Sequence, residues 1–151
     1  MKTSLVKLDI HLIIKIINNM ETGYVKIEYG KVEIKLVNGT VWITKWELAQ
    51  LFNVFEAKIE ANLRNIFKNR LLWENDVTYI YRYTDKGIEK QIVYYNMDVL
   101  MFLSYRITSL EAQIFRKWIN KTLQEHVDKV ENKNIAPLVW TFKLNENYPL
   151  T

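Results

Sequence analysis

The sequence predicts an α+β fold: a winged helix-turn-helix-like domain with small antiparallel hairpins and a long C-terminal helix. Three stretches carry this expectation. Thr40–Phe67 reads as a short strand, a short helix, a tight turn and a second helix. Val77–Tyr95 reads as two alternating strands joined by Asp85-Lys86-Gly87. From Thr108 an amphipathic helical pattern runs on to Val127.

The first segment, Leu5–Ile17, is apolar but carries Lys7, Asp9, His11 and Lys15. It is too short and too charged to span a membrane. It also lacks the clean apolar stretch and small-residue cleavage site of a signal peptide. Its alternation fits a strand, and the spacing of Leu5, Leu8, Leu12 and Ile16 fits a helix; both readings stay open. Asn18 to Gly23 reads as a loop. Tyr24–Glu28 and Lys31–Val37 alternate around Gly30, and Asn38-Gly39 is a hairpin signal leading into Thr40–Ile43. A small antiparallel sheet is therefore expected before the helical pair.

Val41, Trp42 and Ile43 favour an extended backbone. Thr44 and Glu47 form a T-x-x-E box that can satisfy orphan N–H groups of a helix starting near Lys45. Leu48, Leu51 and Phe52 give that helix an apolar stripe, and Ala49 is small enough for a close crossing. Asn53 tolerates the left-handed conformation that the turn needs. Ile59, Leu63, Ile66 and Phe67 form the buried stripe of helix two, about Phe55 to Asn69, with Lys58, Asn62 and Arg64 expected outside.

Asn75-Asp76 is read as a break before the 77–95 hairpin. That hairpin is rich in tyrosine (Tyr79, Tyr81, Tyr83, Tyr94 and Tyr95), residues with an apolar body and a polar tip. It reads as a wing lying along a DNA backbone, as a packed cover over the core, or as both at once. Asn96 can cap a helix over Met97–Tyr105. Thr108 and Glu111 form a second box, opening a helix with the stripe Leu110, Ile114, Phe115, Trp118, Ile119, Leu123 and Val127. Trp42 and Trp118 are expected in the core; Trp46, Trp73 and Trp140 are less clearly buried. The tail has Pro137 and Pro149, with one candidate strand at Leu138–Leu144. The organisation expected is an extension (1–22), a domain (23–130) and a tail (131–151).

Composition narrows the chemistry. Lys and Arg total 21 against 17 Asp and Glu, a formal charge of +4, which suits a polyanion without demanding one. There is no cysteine, so disulfides, thiol catalysis and thiolate metal sites are excluded, and a cytoplasmic setting fits. His11 and His126 are too far apart to suggest a site by spacing. No Gly-rich phosphate loop, close carboxylate pair or nucleophile-base spacing is present. Asp98, Arg106, Glu111 and Arg116 could meet in space, and a structural ion-pair cluster explains them as well as a catalytic one does. The expectation is no enzyme, no metal and no cofactor.

Six pieces in order carry a family resemblance: Val41-Trp42-Ile43-Thr44, Leu48-Ala49-Gln50-Leu51-Phe52, Asn65-Ile66-Phe67, Tyr94-Tyr95-Asn96-Met97-Asp98, Tyr105-Arg106 and Phe115-Arg116-Lys117-Trp118. Over Thr40–Val127 the chain resembles the N-terminal half of the bacterial RhuM family. More distantly it is similar to the Bro-N and KilA-N domains of phage and viral proteins, which close with an F-R-x-W-type motif. The resemblance implies a DNA-binding, regulatory protein of a mobile element or genomic island, in a family named for a link to virulence. Members are usually longer, so a member keeping only the DNA-binding-like half is expected. Where the family's helix two has short hydroxyls and cations, this chain has Phe55-Glu56-Ala57-Lys58 and Ala61-Asn62.

The expected nucleic-acid contacts are Lys58 and Asn62 nearest base edges, with Arg64, Lys68, Arg70, Lys86 and Lys90 on phosphates. Since a carboxylate repels phosphate and Ala has no hydrogen-bonding side chain, binding to double-stranded DNA should be weak or non-specific. The alternative is a protein-interaction module on the same scaffold, antirepressor-like or dimerising, with a degenerate DNA surface. Five tryptophans and the acidic changes on helix two favour it.

Overall fold

The computed structural model describes residues 22–132, and the expected elements at Leu5–Ile17 and Leu138–Leu144, with Trp140, lie outside them. Strands β1 (Tyr24–Glu28) and β2 (Lys31–Lys35) form a two-stranded antiparallel sheet. Then follow β3 (Ile43–Thr44), α1 (Lys45–Leu51), α2 (Glu56–Lys68), a single turn α3 (Glu74–Val77), β4 (Thr78–Asp85), β5 (Ile88–Tyr95), α4 (Met97–Arg106) and α5 (Leu110–Glu131). The fold is α+β, with small antiparallel sheets and a long last helix. Tertiary contacts divide the chain within α5, after Trp118. Among the described residues no helix is long and apolar enough to cross a membrane.

The expected strand at Thr40–Ile43 shortens to Ile43–Thr44, and it does not pair with β2. Asn38 and Gly39, both at positive φ, close only a single bridge between Val37 and Thr40. The Trp42 N–H donates instead to the Thr22 carbonyl, 2.9 Å. β3 pairs with β5, Ile43 opposite Tyr95 and Thr44 opposite Tyr94, so the second sheet has the order β3-β5-β4. This ties the strand before the helical pair to the hairpin after it. Gly23 lets the chain pass close to β2: a Cβ there would sit 2.3 Å from the Lys35 carbonyl oxygen.

Helix α1 begins as the sequence requires. The Thr44 hydroxyl accepts from the Glu47 N–H, and the Glu47 carboxylate accepts from the Thr44 N–H. It ends on a Schellman motif. Asn53 is left-handed (φ 52°), its N–H donating to Gln50, while the Val54 N–H donates to Ala49. Helix α2 ends the same way, with Arg70 in the left-handed position (φ 54°) and the Leu71 N–H donating to Ile66. Asn75 and Asp76 do not simply break the chain; they sit in α3, whose Val77 is buried, and the strand starts one residue later than expected.

The core lies where the helices meet the second sheet: Leu48, Ala49 and Phe52 from α1, Ile59, Leu63 and Ile66 from α2, Tyr94 from β5, Val99, Leu100 and Leu103 from α4, and Ala112 and Phe115 from α5. Asn96 caps α4 as expected, accepting from the Asp98 and Val99 N–H groups. The α5 cap is Ser109, whose hydroxyl accepts from the Ala112 N–H; Thr108 is exposed. That one-residue shift aligns Ala112 and Phe115 with the core and leaves Leu110 on the far side, 65% exposed. Leu123 and Val127, expected in the buried stripe, are 61% and 41% exposed. Trp42 and Trp118 are half-buried rather than core: Trp118 stacks on Phe115 at 5.6 Å, and Trp42 meets Tyr79 at 6.1 Å.

Candidate nucleic-acid interface

Helix α2 presents two faces because the helical repeat separates them. Ile59, Leu63 and Ile66 point inward and are buried. Opposite them Ala57, Ala61, Arg64 and Lys68, at spacings of four, three and four, form one exposed line. The front of this line is apolar and its rear is basic.

The cations differ in what already holds them. Glu60 receives Lys45 at 3.2 Å and Arg64 at 3.3 Å, and these two cations keep its carboxyl below the usual carboxylate range, Lys45 most. Arg70 lies over the Trp73 ring, 5.8 Å from its centroid, and Trp73 is itself 63% exposed. Lys90 is paired with Asp85, which holds the ammonium above its ordinary pKa and is itself held lower by Lys90. Lys86 stands in the two-residue turn with Gly87, both at positive φ, at the tip of the β4–β5 hairpin. Lys58 and Lys68 are exposed and make no ion pair with another described residue. A cleft of about 570 Å³ brings Lys45, Arg64 and Lys68 together with Glu60, Glu74 and Tyr95.

Asn62 is placed differently from the expectation of an exposed base reader. It is half-buried; its amide donates to the Lys58 carbonyl at 2.9 Å, and its oxygen accepts from Arg106 Nε at 3.2 Å. Arg106 and Lys45 are the partners of helix two that sequence reasoning misses. They lie 44 and 15 residues from the side chains they meet, so no helical spacing could reveal them.

Asp98, Arg106, Glu111 and Arg116 do not form one cluster. Asn53 donates to Glu111 (3.5 Å), Arg106 goes to Asn62, and Arg116 donates to the Ser104 and Ile107 carbonyls at the end of α4. Asp98 stands in the first turn of α4, where a negative charge suits the helix dipole. The Phe115-Arg116-Lys117-Trp118 stretch is thus structural here. Phe115 packs edge-on to Phe52 at 6.1 Å, and Arg116 satisfies carbonyls that α4 leaves open. Among the described residues no three His, Asp or Glu side chains are grouped to hold a metal ion.

The hairpin tyrosines divide. Tyr94 is buried, and its phenol is pushed up to about 12, mainly by burial, then by the charge of Glu47 and by Tyr81 and Tyr79. Tyr81 and Tyr83 stack along β4 at 6.1 Å.

No protein-family model, curated protein or solved structure matches this chain. The likeness to the RhuM family rests on the residues quoted for it.

Proposed function

We propose that this chain is a winged helix-turn-helix-type DNA-binding protein, regulatory and of the RhuM type carried by mobile elements. Helix α2 enters a groove and the β4–β5 hairpin runs along the backbone as a wing. The observation that carries the reading is the pairing of β3 with β5, which sets the hairpin beside the helical pair, with the Arg64–Lys68 line on the outer face of α2. Phosphate contacts then dominate, because the front of α2 offers few hydrogen-bonding groups to base edges.

The test is a salt titration of binding to short duplex DNA, followed by fluorescence anisotropy. Affinity should be on the order of 10⁻⁴ to 10⁻⁶ M at physiological salt and fall steeply with added salt. Replacing Arg64 and Lys68 by Gln should flatten the log–log slope by about two units, near 0.9 for each phosphate no longer neutralised. Glu60→Gln should tighten binding, since it removes a carboxylate from the phosphate-facing side and releases Arg64 and Lys45. No binding at low salt would refute the reading.

A second reading, a protein-interaction module, is favoured by the Lys45–Glu60–Arg64 cluster, which commits two cations to an internal partner, and by the exposure of Trp73. Under it, the same titration gives no DNA signal.

A further inference from the structure

A cleft of about 410 Å³ lies between β1 and α1. It is bordered by end strands of both sheets, β1 of the first and, at Ile43, β3 of the second. One backbone bond ties the start of β1 to this neighbour, from the Trp42 N–H to the Thr22 carbonyl. Beyond it, among the described residues, β1 pairs with β2 alone. The two-residue turn Tyr29-Gly30 makes Glu28 and Lys31 a hydrogen-bonded pair, so the alternation of an antiparallel ladder turns the backbone groups of Val25 and Ile27 away from β2. Both residues line the cleft. Their N–H and C=O groups have no strand partner among the described residues.

The opposite wall is α1. The helical repeat sets Trp46, Gln50 and Asn53 on one side of the segment, away from the buried Leu48, Ala49 and Phe52. Trp46 and Trp42 both line the cleft and both are half-buried, so part of each indole stays open to it. The charge there has one sign. Glu28, Glu47 and Glu111 line the cleft and no Lys or Arg does, in a chain whose formal charge is +4. Lys26 sits over the Tyr24 ring at 5.1 Å and is not part of the lining. Glu47 closes the α1 capping box. Glu111 accepts from Asn53 at 3.5 Å, a neutral donor that leaves its charge in place. Carboxylates disfavour a phosphate here, and the walls match an extended chain with basic side chains. Such a chain adds its backbone to a strand edge. The stems of Lys or Arg cover apolar surface, and their heads meet an indole face or a carboxylate.

We propose that the cleft between β1 and α1 docks an extended basic segment of a protein partner, by strand addition at Val25 and Ile27 with a Lys or Arg side chain laid along Trp42 and Trp46 toward Glu111. The site does not rest on the DNA-binding reading, because no residue of α2 lines the cleft.

The experiment titrates the isotopically labelled full chain at low salt with a short peptide alternating Lys and Val, followed by amide and indole chemical shifts. The expected result is a saturable change at Val25, Ile27, Trp42 and Trp46. A peptide alternating Glu and Val should give none, and a Lys–Val peptide N-methylated along one edge should bind far more weakly, since it lacks the backbone donors for strand addition. Glu28→Gln combined with Glu111→Gln should weaken the Lys–Val peptide by about two- to thirtyfold, the loss of two solvent-accessible charge contacts. Neither side chain is in the buried core, so the variant should keep its fold, and its melting curve checks this. Equal binding of the Lys and Glu peptides overturns the charge selection and with it the proposal. Equal binding of the N-methylated peptide overturns the strand addition. Shifts confined to other surfaces, or no shifts, overturn the site. A dimer in sedimentation that the double variant dissociates gives the cleft to a second copy of this chain and overturns the partner segment.

Discussion

Helices α1 and α2 follow one another and end identically, yet they begin differently. Each closes on a Schellman motif with a non-glycine residue in the left-handed position, Asn53 and Arg70. At its start α1 has a reciprocal capping box, and α2 has an exposed Phe. Asn is among the residues that tolerate left-handed backbone, whereas Arg bears the full steric cost. So α1 obeys local rules at both ends and α2 breaks them at both. Departures from local consistency concentrate where a surface serves something other than the fold. That contrast adds to the β3–β5 pairing and the Arg64–Lys68 line as support for α2 as the proposed functional surface.

The largest effect should come from the inner face of α2, which the comparison assigns wholly to folding. Leu63→Ala should destabilise by about 2–5 kcal/mol, the range for a buried Leu whose cavity closes only partly. Chemical denaturation measures this. A change near zero would mean that α2 is not seated on the core and would dissolve the distinction between its faces.

Next come the two helix starts, which should respond with opposite signs. Thr44→Ala should cost about 1 kcal/mol, the usual loss for an N-cap hydroxyl. Phe55→Ser should raise stability by up to about 1 kcal/mol by supplying the missing cap. Thermal melts of the pair suffice. If Phe55→Ser destabilises, the ring is packed and the start of α2 is structural after all.

The two helix ends should diverge less. Arg70→Gly should stabilise by up to about 1 kcal/mol, because removing the left-handed penalty outweighs the freedom Gly adds to the unfolded chain. It should also weaken DNA binding by removing a cation from the same surface. A stabilised variant with unchanged binding would take Arg70 out of the interface and leave it as the partner of Trp73.

The last effect lies on the α1 side and is absent at neutral pH, appearing only at high pH. Tyr94 faces Thr44 across the sheet and senses Glu47. Its folded pKa of about 12 lies above the unfolded value near 10. The contribution of Tyr94 to stability is therefore complete below pH 10 and is lost as pH rises from 10 to 12. Tyr94→Phe should flatten the alkaline limb of the stability curve. An unchanged limb would assign it to other groups, of which Tyr95, also raised by burial, is the first to check.

The sequence made the local elements legible because their signals are local. The Thr44–Glu47 box, the left-handed Asn53, the inner stripe of α2, the Asn96 cap and both hairpins follow from spacing within a few residues. Long-range choices were not legible. Nothing near Ile43 says that it pairs with Tyr95 and not with β2, and nothing near Glu60 announces Lys45. The α5 stripe illustrates a third limit. Its apolar periodicity continues through Leu123 and Val127, but periodicity marks a face and not what covers it. At the candidate site the basic residues could be named from the sequence. That Asn62 is engaged and Phe55 is bare required the packing of α4 and the backbone of α2.

The most direct test of the central claim is to map amide chemical-shift changes over the full chain as a short duplex is added at low salt. The expected changes run along the outer line of α2, from Ala57 through Arg64 to Lys68, and appear at the tip of the β4–β5 hairpin, with β1–β2 silent. Changes confined to β1–β2 and the near side of α1, or no change at all, would contradict it.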